Sequence, residues 1–69
     1  MRTQFLSVLK NKYRVEYDEH MLALDILMDK CVGISEHTSF IDEADKHISA
    51  MANAMEKQEV VAYLEHKND

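Results

Sequence analysis

A chain of 69 residues with one cysteine, one glycine and no proline is a single domain near the lower edge of what one hydrophobic core can hold together. Cys31 alone excludes a disulfide framework, and no cysteine spacing suits a structural zinc, so self-association or a partner has to supply the missing burial. The formal net charge of −5 argues against the broadly basic surface of a nucleic-acid module.

The N-terminal stretch MRTQFLSVLKNKYRV lacks the apolar core of a signal peptide, because Lys10 and Lys12 interrupt it, and no run approaches the roughly 18 apolar residues of a membrane span. A lone cysteine fits a reducing compartment. The expectation is a cytoplasmic protein with no membrane contact. Phe5, Leu6 and Leu9 beside the basic residues offer only a modest membrane-surface signal, which is discounted.

The first element follows from spacing. Leu6, Leu9, Tyr13, Tyr17, Met21, Leu24, Met28 and Cys31 recur at steps of three and four, which predicts one long helix over about 3–32 with these residues inward. Gly33 supplies a left-handed C′ position to end it, and Lys30 sits in the last turn, where the helix dipole favours a cation. Cys31 reads as a small apolar residue at a helix end rather than a reactive thiol.

The connecting stretch, about 33–38, leads into HTSFIDEADKH. Ser35, Thr38 or Ser39 offers an N-cap, and Asp42, Glu43 and Asp45 are expected in the first turns, where exposed N–H groups favour negative charge. A second helix over about 39–65 then places Ile41, Ala44, Ile48, Met51, Met55, Ala62 and Tyr63 on its inner face. It is expected to weaken near Gln58 and Glu59, where the apolar stripe shifts towards Val60, Val61 and Leu64. A short polar tail closes the chain.

Two long helices joined by a short glycine-containing connection predict an all-α, two-helix antiparallel hairpin over residues 1–69, self-associating into a four-helix bundle, with a dimer favoured. A turn centred near residue 34 makes facing positions sum to about 68. Residues 1–14 carry four cations and no acid, whereas the remainder carries thirteen acids against four lysines. The register therefore brings Arg2, Lys10, Lys12 and Arg14 beside Glu56, Glu59, Glu65 and Asp69. Such exposed pairs select orientation more than they supply stability.

Several constellations could carry chemistry. Glu16 with His20 and Glu43 with His47 lie at i, i+4, and the register sets His20 opposite position 48, so four ligand-type side chains converge in a metal-binding or small-ligand alternative. Di-metal bundles use Glu-x-x-His, however, and the spacing here is also that of ordinary helix-surface contacts. His37 and His66 read as solvent-exposed connecting and tail residues. There is no phosphate loop or nucleophile elbow, and a chain with one glycine has few loops on which to build a catalytic site, so neither an enzyme nor a cofactor is expected.

A second alternative is a nucleic-acid-binding bundle using Arg2, Lys10, Lys12 and Arg14. The expected architecture resembles that of plasmid copy-number regulators, hairpins that dimerise into four-helix bundles, an analogy of fold alone. The acids on the facing helix dilute those cations. The acidic faces, with Asp18, Asp25 and Asp29 on one helix and Asp42, Asp45 and Glu56 on the other, could imitate phosphates, but a solvated helix surface looks the same.

The leading expectation is a small non-enzymatic regulator, adaptor or inhibitor that binds a larger, unidentified protein, in a format that suits a phage or mobile-element accessory factor. Met21, Met28, Met51 and Met55 are expected mainly as core filling, with a role as adaptable partner contacts second. Tyr13, Tyr17 and Tyr63, with Met21 and Met55, are the candidate partner-binding residues.

Overall fold

The computed structural model describes residues 1–31 and 38–67. Two α-helices, α1 (Arg2–Cys31) and α2 (Thr38–His66), account for nearly all of them. They pack along their lengths as an antiparallel hairpin, a rod 56 × 14 × 11 Å. The bounds agree within a residue with those expected from spacing. Gly33, Ser35 and His37 lie outside the described residues, as does the side chain of Thr38, while Lys30 does occupy the last turn of α1. Ser39 falls inside α2 and is not its cap. The first turn of α2 holds no acid: the helix begins at Thr38, one residue before the expected start, and Asp42, Glu43 and Asp45 lie in its second turn.

The seam between the helices repeats every seven residues. On α1 the inward positions are Leu6, Leu9, Tyr13, Glu16, His20, Ala23 and Leu27; on α2 they are Phe40, Ala44, His47, Met51, Ala54, Gln58 and Val61. This alternation of three- and four-residue steps is that of a coiled-coil seam. The columns 6, 13, 20, 27 and 40, 47, 54, 61 contain the four core side chains among the described residues: Leu6, Leu27, Ala54 and Val61. Ala54, only 1% exposed, presents no more than a methyl group to the facing helix.

The seam corrects the expected inner faces. Met21, Met28, Ile41, Ile48, Met55 and Tyr63 are exposed, and Tyr17 and Leu24 are half-buried at the edge. The expected stripe on α1 drifted by a position after Tyr13, because it chose apolar Tyr17, Met21 and Met28 over Glu16, His20 and Leu27. Only Met51 of the four methionines assigned inward faces the seam. Helix α2 also runs unbroken through Gln58, whose Nε2 donates to the Ala54 carbonyl at 3.5 Å. Val61, not Val60, carries the buried position there.

The open end of the hairpin is joined by polar contacts. The Arg2 guanidinium donates to the Leu64 carbonyl at 2.8 Å, satisfying one of the acceptors that the end of α2 leaves without an intrahelical partner. Lys10 Nζ lies 3.1 Å from Glu65 Oε1, the one ion pair among the described residues. Lys12 and Arg14 do not pair with Glu56 or Glu59, and Asp69 lies outside the described residues. Cross-helix contacts join residues 2 to 64, 13 to 57 and 20 to 47, bracketing the expected register.

Candidate functional site

Within the seam, nearer its Cys31–Thr38 end, His20 and His47 meet. Their Nδ1 atoms are 3.0 Å apart, and the rings are tilted by 48° with centroids separated by 5.2 Å. Such a hydrogen bond requires one Nδ1–H to donate and the other, unprotonated Nδ1 to accept. The heptad explains the meeting: each imidazole fills a seam position between half-buried neighbours, with Ala23 on one helix and Ala44 on the other lending space. His47, rather than position 48, therefore faces His20.

The four expected metal ligands do not converge. Among the described residues no group of three or more His, Cys, Asp or Glu side chains is placed to hold a metal ion. Glu16 occupies a half-buried seam position one turn before His20, and Glu43 is exposed beside His47 in a groove shared with Ser39, Asp42 and Lys46. Two imidazoles engaged with each other fall short of the four donors a structural zinc takes.

The candidate partner-binding residues separate. Tyr13 belongs to the seam and is half-buried, with Lys57 Nζ 5.2 Å from its ring centroid. That geometry places Tyr13 at the seam between the helices. Tyr63 lies on the outward side of α2, 66% exposed. Tyr17 and Met55, by contrast, line one groove with Arg14, Asp18, Glu59 and Ala62. From there Met21, Leu24 and Met28 continue along α1 at steps of three and four, and Ile48 and Ile41 continue along α2 at steps of seven, forming one apolar flank.

A second flank, on the opposite side of the seam, was not foreseen. It carries Phe5, Val8, Val15, Leu22 and Ile26 from α1, with Val60 from α2, all exposed. Its signal in the sequence is the recurrence of apolar residues at 5, 8, 15, 22 and 26, a second heptad offset from the seam. The four expected nucleic-acid cations do not form one patch. Arg2 and Lys10 reach onto α2, Lys10 and Arg14 share a groove with Ser7, Asn11 and Gln58, and Lys12 lies among the residues of the second flank.

No helix among the described residues is long and apolar enough to cross a membrane. Comparison with family models, with curated proteins and with solved structures finds no match for this chain.

Proposed function

We propose that this chain is a non-catalytic helical adaptor or regulator, which self-associates through one apolar flank and binds a larger protein through the other. The observation that carries the reading is the exposure, among the described residues, of thirteen large apolar side chains around a core of four. A hairpin so built leaves both of its apolar flanks in water, and large exposed apolar patches mark interaction surfaces.

The flank formed by Tyr17, Met21, Ile48 and Met55 is the protein-binding candidate. Methionines adapt to irregular surfaces, and a shallow apolar strip between two helices receives an amphipathic helix. Asp18 and Glu59 outnumber Arg14 at the groove itself, and residues 15–51 as a whole carry nine acids against Lys30 and Lys46. The complementary partner segment is therefore an amphipathic helix with Lys or Arg along its margins.

The test is reconstitution. A partner recovered by affinity capture is purified, and its binding to wild-type protein is measured by calorimetry beside a Met21→Lys, Met55→Lys double variant and Tyr63→Ala. The double variant is expected to bind at least about tenfold more weakly, as loss of central apolar contacts costs more than about 1 kcal/mol, while Tyr63→Ala retains affinity. Undiminished binding by the helical double variant overturns the assignment of this flank.

A further inference from the structure

The second flank has an internal symmetry that identifies what covers it. Along α1 the residues Phe5, Val8, Lys12, Val15, Glu19, Leu22 and Ile26 follow one another at steps of three and four, and all seven are exposed. In either direction the order is two apolar residues, a charge, an apolar residue, a charge and two apolar residues, with the charges opposite in sign. A two-fold axis beside Val15 superposes this pattern on itself. It sets Phe5 against Ile26 of a second copy, Val8 against Leu22, Lys12 against Glu19, and Val15 against its own equivalent, each within about one residue, or 1.5 Å of helix rise.

We infer that a second copy of this chain covers this flank, with the two α1 helices antiparallel across a two-fold axis and two Lys12–Glu19 pairs orienting the contact. This rests on the self-association reading above and specifies its face, direction and residues. Such a contact is isologous, the commonest arrangement in homodimers.

Charge selects the direction. Parallel, in-register helices would set Lys12 on Lys12 and Glu19 on Glu19, which opposes like charges. The whole hairpin repeats the preference: residues 15–51 carry nine acids against two bases, whereas residues 1–14 and 52–69 carry six bases against four acids. Antiparallel copies bring each acidic end towards the less acidic end of the other. Neither Lys12 nor Glu19 forms an ion pair within the hairpin, the Lys10–Glu65 pair being the one among the described residues.

The hairpin also has enough surface in excess for an interface of this kind. A compact monomer of 8.0 kDa exposes about 4,450 Å² by the usual scaling of surface with mass, whereas the hairpin exposes 5489 Å². The excess of about 1,000 Å² matches the roughly 800 Å² that each partner contributes to a standard interface.

The experiment combines sedimentation velocity with disulfide trapping in a Cys31→Ala background, helicity being checked by circular dichroism. Val15→Cys is expected to link to itself as a covalent dimer. Phe5→Cys and Ile26→Cys should link when mixed, and neither should link alone. Lys12→Glu should weaken dimerisation about tenfold or more through opposed glutamates, and Lys12→Glu with Glu19→Lys should restore it. If Lys12→Glu loses helicity, Lys12→Gln replaces it, removing the attraction without reversing it, and is expected to weaken the dimer to a smaller degree. A protein that stays monomeric at every accessible concentration overturns both self-association and this interface. A stable dimer in which Phe5→Cys links to itself, or in which neither Lys12 variant changes dissociation, overturns the antiparallel α1 contact and leaves self-association standing.

Discussion

Across the seam, His20 Nδ1 and His47 Nδ1 share a hydrogen bond of 3.0 Å, placing a polar pair at a layer where leucine is the more stabilising choice. Polar residues at a seam position fix register at a cost in stability, because only one alignment lets them meet. Sliding either helix by one heptad would set His20 against Ala54 or Phe40 instead. The histidine pair therefore belongs to the specification of the hairpin.

Replacing both histidines by leucine is expected to stabilise the hairpin by about 1 to 2 kcal/mol, since exchanging a polar pair for apolar groups of similar volume is neutral or favourable. At this chain length that corresponds to a rise in Tm of roughly 4–16 °C. Thermal melts followed by circular dichroism at fixed protein concentration check it, and a lower Tm for the double variant would mean that the pair stabilises the fold outright.

Neighbouring positions on α2 should respond in opposite ways. Val61 is 3% exposed and Tyr63 is 66% exposed. Val61→Asp buries an unpaired carboxylate, costs several kcal/mol and is expected to abolish the cooperative melt. Tyr63→Asp is expected to change stability by no more than about 0.5 kcal/mol. Equal tolerance of both would contradict the heptad frame of the seam.

Ala54 is the tightest point of contact. Ala54→Leu forces bulk into a position with no spare volume, for an expected loss of about 1–3 kcal/mol, a large share of the stability of any small domain. Leu27→Ala is expected to cost about 2–5 kcal/mol through the cavity it leaves. Urea titrations of the two variants at matched concentration read these losses directly; an Ala54→Leu midpoint at or above that of the wild type would show that the helices have room to separate there.

The Lys10–Glu65 pair should contribute little. The side chains are 50% and 26% exposed, so solvent and salt screen the attraction, and Lys10→Ala is expected to lose less than about 1 kcal/mol. A double-mutant cycle with Glu65→Ala isolates the coupling, which should shrink as salt is raised. A coupling that persists unchanged in concentrated salt would point to hydrogen-bond geometry rather than charge as its source.

Helix extents and the antiparallel register were legible from the chain because they rest on local chemistry: two long runs of helical periodicity are separated by only a few residues. The seam was harder to read. Tyr17, Met21, Leu24 and Met28 make as regular an apolar period as Glu16, His20, Ala23 and Leu27, and hydrophobicity favours the wrong set. Packing of two helices selects by fit along a seven-residue repeat, so small and polar side chains win positions that transfer energies would deny them. The columns Leu6, Tyr13, His20, Leu27 and Phe40, His47, Ala54, Val61 carried that information. Among the candidate site residues, the meeting of the two histidines followed from register, whereas the exposure of Met21 and Met55 depended on which way each turn faced.

The bond from Arg2 to the Leu64 carbonyl holds together two points 62 positions apart in the chain, at one end of a rod 56 Å long. Mechanically, the hairpin is a zipper with both handles on the same side. Tension applied to its two ends loads the Arg2 and Lys10 contacts first and then each seam layer in turn, so it peels open at low force. Tension applied along the rod through its flanks loads every layer at once. An anchorage that grips the flanks therefore withstands pulling far better than one that grips the ends.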